Sequence, residues 1–210
     1  MGKYITEFIG TFFLVLSVAL TGNALAIGAT LMVMIFAGGH ISGAHYNPAV
    51  TVAVLTRGKI SGADAVAYII VQLIGAALAA LLARWYLADT NIVPLDLDGK
   101  IPKALIAELV GTFALAYVVL NVATSKATTG NSYYGLAIGF TVFAMASAFG
   151  PISGGAFNPA VAVGATVVQL FALKNIWIYL VACFAGGFFA GIVFNYLNQD
   201  DKPVPPLPKA

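Results

Sequence analysis

The chain alternates long apolar runs with short polar breaks. The runs cover about Tyr4–Thr21, Ala24–Gly38, Ala63–Leu87, Lys103–Ala123, Tyr133–Phe149 and Ile176–Leu197. Crossing a hydrocarbon core of roughly 30 Å takes about 20 helical residues, and the pattern predicts six membrane-spanning helices. The first two, joined by little more than Gly22-Asn23, are short, and bilayer thinning or burial against neighbours accommodates them. Two further apolar stretches, residues 48–57 and 159–171, are too short to cross. Each follows a Gly-rich approach and opens on Asn-Pro-Ala, which predicts a half-helix dipping in from one face.

Those two stretches are nearly one sequence. Ser42-Gly43-Ala44-His45-Tyr46-Asn47-Pro48-Ala49-Val50 returns as Ser153-Gly154-Gly155-Ala156-Phe157-Asn158-Pro159-Ala160-Val161. Glu7-Phe8-Ile9-Gly10-Thr11-Phe12 returns as Glu108-Leu109-Val110-Gly111-Thr112-Phe113, and Gln72, Gly75 and Ala79 align with Cys183, Gly186 and Ala190. The chain thus reads as a first repeat over 1–88, a connection over 89–102, a second repeat over 103–197 and a Pro-rich cytoplasmic tail over 198–210. Each repeat holds three spans and a half-span. Three is odd, so the second inserts upside down, giving an inverted repeat about an axis in the membrane plane. The expected fold class is an all-α membrane protein of six transmembrane helices plus two half-helices, with a binding or conduction site where the interrupted segments meet.

Composition agrees: 60% of the 210 residues are hydrophobic and 9% charged, against roughly 25% charged in soluble domains. The few charges are scattered, so the net charge of +2 gives no footprint for nucleic acid. The single Cys183 excludes internal disulfides and paired-Cys metal sites; it reads as a small filler in a helix contact. No enzymatic chemistry, cofactor or metal is expected. The N-terminus carries one Lys and no small-residue cleavage signal before its apolar run, which reads as a retained first span. With the chain in the cytoplasmic membrane and both termini on its cytoplasmic side, Lys3, Arg57, Lys59, Lys126, Lys202 and Lys209 are expected inside and Arg84, Lys100, Lys103 and Lys174 outside, six against four, a weak positive-inside bias.

Asn is a favoured N-cap and Pro suits the first helical position, so Asn47-Pro48-Ala49 and Asn158-Pro159-Ala160 begin the half-helices. If these enter from opposite faces, their N-termini meet near the midplane, each carrying roughly half a positive charge. Facing ends of that sign repel cations, while each Asn can still offer amide protons to a passing solute. Non-helical backbone at membrane depth must be buried in protein or line a watery cavity. Gly38, Gly39, His40, Ile41, Ser42 and Gly43 in the first approach, with Ile152, Ser153 and Gly154 in the second, are expected to run extended with carbonyls lining a pore. Glu7 and Glu108 lie within apolar spans, where a carboxylate normally has a purpose. They serve either as a proton relay or as acceptors for loop amides that anchor the half-helices, and their matched positions favour anchoring. His40 and His45 read as a gate or solute contact, or as side chains bonded to loop backbone.

The doubled Asn-Pro-Ala, Glu7 and Glu108, and Gly39-His40-Ile41-Ser42-Gly43-Ala44-His45 before the first motif resemble the aquaporin or major intrinsic protein family over about residues 3–197. The resemblance implies the hourglass fold, a homotetramer in the lipid bilayer with one pore per subunit, and passive conduction of water and small neutral solutes. It places the selectivity filter at Ile27, Ala146, Gly155 and Val161. Family members usually carry Arg directly after the second Asn-Pro-Ala; this chain has Val161. The implied filter is wide and apolar, suited to glycerol, urea, ammonia, hydrogen peroxide or neutral metalloid hydroxides as well as water. The alternatives are a proton-coupled transporter using Glu7 and Glu108, or a weakly ion-conducting pore.

Overall fold

The computed structural model describes residues 1–201; of the tail expected over 198–210, residues 202–210 lie outside the described residues. Among the described residues six helices are long and apolar enough to span: α1 (Gly2–Thr21), α2 (Ala24–Ser42), α4 (Gly62–Tyr86), α5 (Ile101–Thr124), α6 (Tyr134–Ser153) and α8 (Ile176–Leu197). Two short helices interrupt the series, α3 (Pro48–Thr56) and α7 (Pro159–Val167). The tight α1–α2 turn uses Gly22 at φ 55°, and Asn23 caps α2 by accepting from the Ala26 amide at 3.0 Å.

Three boundaries differ from expectation. The Gly-rich approaches are helical: α2 continues through Gly38–Ser42 and α6 through Pro151–Ser153. Each then stops on a left-handed glycine, Gly43 at φ 84° and Gly154 at φ 92°, whose N–H reaches back to the carbonyl of Gly39 or Gly150. Such a C-terminal glycine satisfies a carbonyl that the helix leaves open. α7 ends at Val167, not near 171. Gln169 turns into the left-handed region, the amides of Leu170 and Phe171 fold back onto the Ala165 carbonyl, and the Leu170 carbonyl accepts from Leu95 of the connection.

The packing follows the repeat. α1 lies on α4 as α5 lies on α8, and α2 crosses α6. Each half-helix packs on the last long helix of the opposite repeat, α3 on α8 and α7 on α4. Small residues make these approaches possible. A Cβ on Gly187 would overlap the backbone of Ala49, and one on Gly28 or Gly139 would strike the other helix's carbonyl. Large side chains point outward instead: Ile5, Phe13, Val66, Ile70, Leu81 and Phe140 are exposed, an apolar exterior fitted to lipid.

Candidate conduction path

The two Asn-Pro-Ala segments meet inside the molecule. Asn47 is the N-cap of α3 and Asn158 that of α7, each in extended backbone with Pro at the first helical position. Asn47 Oδ1 accepts from the amides of Ala49 at 2.8 Å and Val50 at 3.4 Å; Asn158 Oδ1 does the same for Ala160 at 2.9 Å and Val161 at 3.4 Å. The side-chain amides cross between repeats: Asn47 Nδ2 donates to the Phe157 carbonyl and Asn158 Nδ2 to the Tyr46 carbonyl, both at 2.9 Å. One amide hydrogen of each Asn is thereby committed. The other is left beside a cavity that both residues line.

The backbone leading into each motif is held in an uncommon shape. Ala44, Tyr46 and Phe157 adopt φ near +50°, a conformation that costs an L-residue about 1–2 kcal/mol. Glu7 holds the first segment. Its Oε1 accepts from Ser42 Oγ at 2.7 Å and His45 N at 2.9 Å, and its Oε2 from Tyr46 N at 2.7 Å and Gln72 Nε2 at 2.9 Å. Glu108 repeats the pattern with Ser153 Oγ, Ala156 N and Phe157 N, its fourth neighbour being Cys183 Sγ at 3.6 Å. Both carboxylates are fully buried, and these hydrogen bonds offset part of the desolvation that burial imposes on a carboxylate.

A cavity of about 620 Å³ opens at the face carrying the 89–102 connection and runs past both asparagines. Ile27, Ala146, Gly155 and Val161 all line it. A second cavity, about 450 Å³, opens at the opposite face among Lys3, Lys59, Asp64 and Tyr68. The approach residues fall differently from expectation. Gly38 and Gly39 face Tyr46 and Tyr134, and Ile41 and Ile152 point outward. Ser42 and Gly43 border the second cavity and Gly154 the first. The last-turn carbonyls of α2 and α6 have no partner within their own helix; those of Ser42 and Ser153 accept the Tyr68 and Tyr179 hydroxyls at 2.8 and 2.6 Å. His40 is exposed on α2, while the ring of His45 is buried with Nδ1 3.1 Å from Thr51 Oγ1 rather than on loop backbone.

Several residues at the site carry no motif signal. Thr51 follows Asn47 by four residues, one helical turn, and its hydroxyl also meets Gln72 Nε2 at 3.1 Å. Val119 on α5 faces both cavities. Arg57, just past α3, is buried; its Nη2 lies 3.0 Å from Asp201 Oδ1 and 4.8 Å separates its guanidinium from the Phe194 ring centre. Asp201 Oδ2 in turn accepts from the Lys126 amide at 2.8 Å, tying α3, the α5–α6 loop and the end of α8 together.

Six spans, two opposed half-helices and a lined path between them define a membrane channel architecture. The major intrinsic protein family model matches residues 1–194. Probable aquaporin NIP4-2 of Arabidopsis thaliana is 36% identical over 227 residues, covering 99% of this chain and 78% of that protein. Aquaporin NIP1-1 of Zea mays is 32% identical, with 99% and 79% covered. Among solved structures, the aquaglyceroporin from Plasmodium falciparum superposes with a TM-score of 0.80 at 22% identity, over 92% of this chain and 94% of that one. The chain belongs to the major intrinsic protein family. It is an integral, multi-pass membrane protein of a channel family.

Proposed function

We propose that this protein is a passive channel for water and small neutral solutes, working as a homotetramer with a pore in each subunit and both termini cytoplasmic. One observation carries the reading: Ile27, Ala146, Gly155 and Val161 line the same cavity as Asn47 and Asn158, and none brings a charged side chain to it. A filter of that composition is wide and apolar, so discrimination against glycerol-sized solutes or urea is weak there. Exclusion of cations falls to the facing N-termini of α3 and α7. The anchoring role of Glu7 and Glu108 is supported over a proton relay, because each carboxylate already faces donors on both oxygens.

Stopped-flow measurements on proteoliposomes test this with water, glycerol, urea and arsenite, for the parent and for Val161→Arg. The parent should equilibrate the solutes downhill only. The arginine fills volume and adds charge, so glycerol flux should fall several-fold and water flux much less. Uphill, proton-dependent accumulation by the parent would overturn the channel reading. An unchanged glycerol-to-water ratio in a well-assembled Val161→Arg tetramer would move the filter elsewhere.

A further inference from the structure

The two cavities share only two lining residues, His45 and Val119. The boundary between them therefore lies on the α3 side of the asparagine pair, away from the arginine-less filter. The repeat makes the asymmetry measurable residue by residue. Asn47 and Asn158 are 111 positions apart, and at that offset Ala146, Gly155 and Ala156 correspond to Ile35, Ala44 and His45. Val161 corresponds to Val50 and Ile27 to Ile138, equal in size. All of these positions line the first cavity. At three of the five pairs the residue on the α3 side is the larger, and at none is it the smaller.

We propose that the size- and chemistry-selecting step of this pore is a second constriction at His45 and Val119, and that its chemistry is one hydrogen-bond acceptor set in an apolar collar. The acceptor follows from the network behind His45. Thr51 has a single hydroxyl proton, and the Asn47 carbonyl lies 3.0 Å from its oxygen, placed to accept it. The same oxygen receives Gln72 Nε2 at 3.1 Å. With the hydroxyl proton directed at that carbonyl, the remaining lone pair receives the contact from His45, an arrangement that puts the ring proton on Nδ1 and leaves Nε2 bare. Nε2 makes no hydrogen bond within the described residues, and the ring borders both cavities. A solute thus meets amide donors on Asn47 and Asn158, then an acceptor within Val119, Ile35 and Ile138. That order favours small neutral molecules carrying both a donor and an acceptor, such as hydroxyl compounds and amides. Val119 sets their width, while Thr51 and Gln72 are positioning residues for the ring.

The inference rests on the channel reading, and the test separates the two. Water, urea and glycerol fluxes are compared in proteoliposomes for the parent, Val119→Ala and Val119→Phe, with folding checked by gel filtration. The glycerol-to-water ratio should rise several-fold in Val119→Ala and fall several-fold in Val119→Phe. A parent that conducts none of the three overturns the channel reading and the constriction with it. A conducting parent whose ratio neither variant moves overturns the constriction alone. The chain has two histidines, His40 and His45, so ¹⁵N-histidine spectra with His40→Gln isolate the buried ring. A protonated Nδ1 with a bare Nε2 is expected. The opposite tautomer would overturn the acceptor assignment, and Thr51→Val should shift the signal toward it.

Discussion

The two half-helices start alike and are held differently. Behind α3 stands a polar lattice in which Glu7, Gln72, Thr51 and His45 are joined by hydrogen bonds of 2.9 to 3.1 Å. Behind α7 the matching positions are Glu108, Cys183, Ala162 and Ala156, and the lattice shrinks to the carboxylate, the Ser153 hydroxyl, the loop amides and the Cys183 thiol. The ring next to each motif differs in the same sense: Tyr46 donates its hydroxyl to the Met34 carbonyl at 3.0 Å, where Phe157 has only its face to pack. At the far end Arg57 binds Asp201, while its counterpart Val168 is simply buried. Identical backbones are thus reached by an extended polar network in one repeat and by close packing in the other. What the repeats share is the pair of features that shape the path, an N-capping Asn and a carboxylate under the link.

That contrast makes the two carboxylates unequal in their sensitivity to substitution. Glu7→Gln turns an amide donor toward groups that themselves donate and disturbs Gln72 as well. Losing two hydrogen bonds to a charged acceptor should cost about 3–5 kcal/mol, read as a lowered unfolding midpoint in a denaturant series on the purified protein. Glu108→Gln should lose less, because a thiol stands where Gln72 does. Equal losses would remove the distinction between the repeats.

A smaller effect probes the clasp that only the first repeat has. Asp201→Ala removes a charged acceptor from Arg57 and Lys126 and should cost about 2 kcal/mol; Val168→Ala offers a matched control in the second repeat. The clasp also predicts a pH dependence. Burial raises the Asp201 pKa, but the Lys126 amide, the Ser125 hydroxyl and the Arg57 charge outweigh it and hold the carboxyl below its ordinary 3.8. A depressed folded value means the stabilisation is fully present above that ordinary value and lost as pH falls through the folded one. The difference in thermal midpoint between parent and Asp201→Asn should therefore be constant near neutrality and close in strong acid.

The mildest test concerns the thiol itself. Cys183 is fully buried behind Glu108 and is the chain's one cysteine, so mercurials applied from either face should leave water flux nearly unchanged. Rapid block that survives Cys183→Ser would have to come from chemistry other than a thiol.

The spans, the inversion and the half-helix starts were legible in sequence because each rests on a local rule: apolar run length, an odd number of crossings, Asn before Pro. The ends of α2 and α6 were not. Gly38-Gly39 and Gly150-Pro151 read as helix breakers, yet Gly38 is kept small by the Tyr46 side chain lying against it, and α6 carries Pro151 in its last turn. At Gly38 glycine serves a neighbour's bulk rather than a change of backbone direction. Thr51, Val119 and the Arg57–Asp201 pair were hidden for a different reason. Their partners lie far along the chain, and nothing in a threonine, a valine or a lone arginine announces a long-range contact.

The crossed bonds between Asn47 and Phe157, and between Asn158 and Tyr46, also set a schedule. When Asn47 is added to the growing chain, the carbonyl that will receive its amide is still 110 residues from being made, a wait of roughly 5–20 s at ordinary synthesis rates. An amide and a carbonyl without partners in the hydrocarbon region are each disfavoured by several kcal/mol. The first half-helix is therefore unable to settle at its final depth until the second arrives. The two repeats enter the membrane one after the other, but the path between them is finished in a single late event.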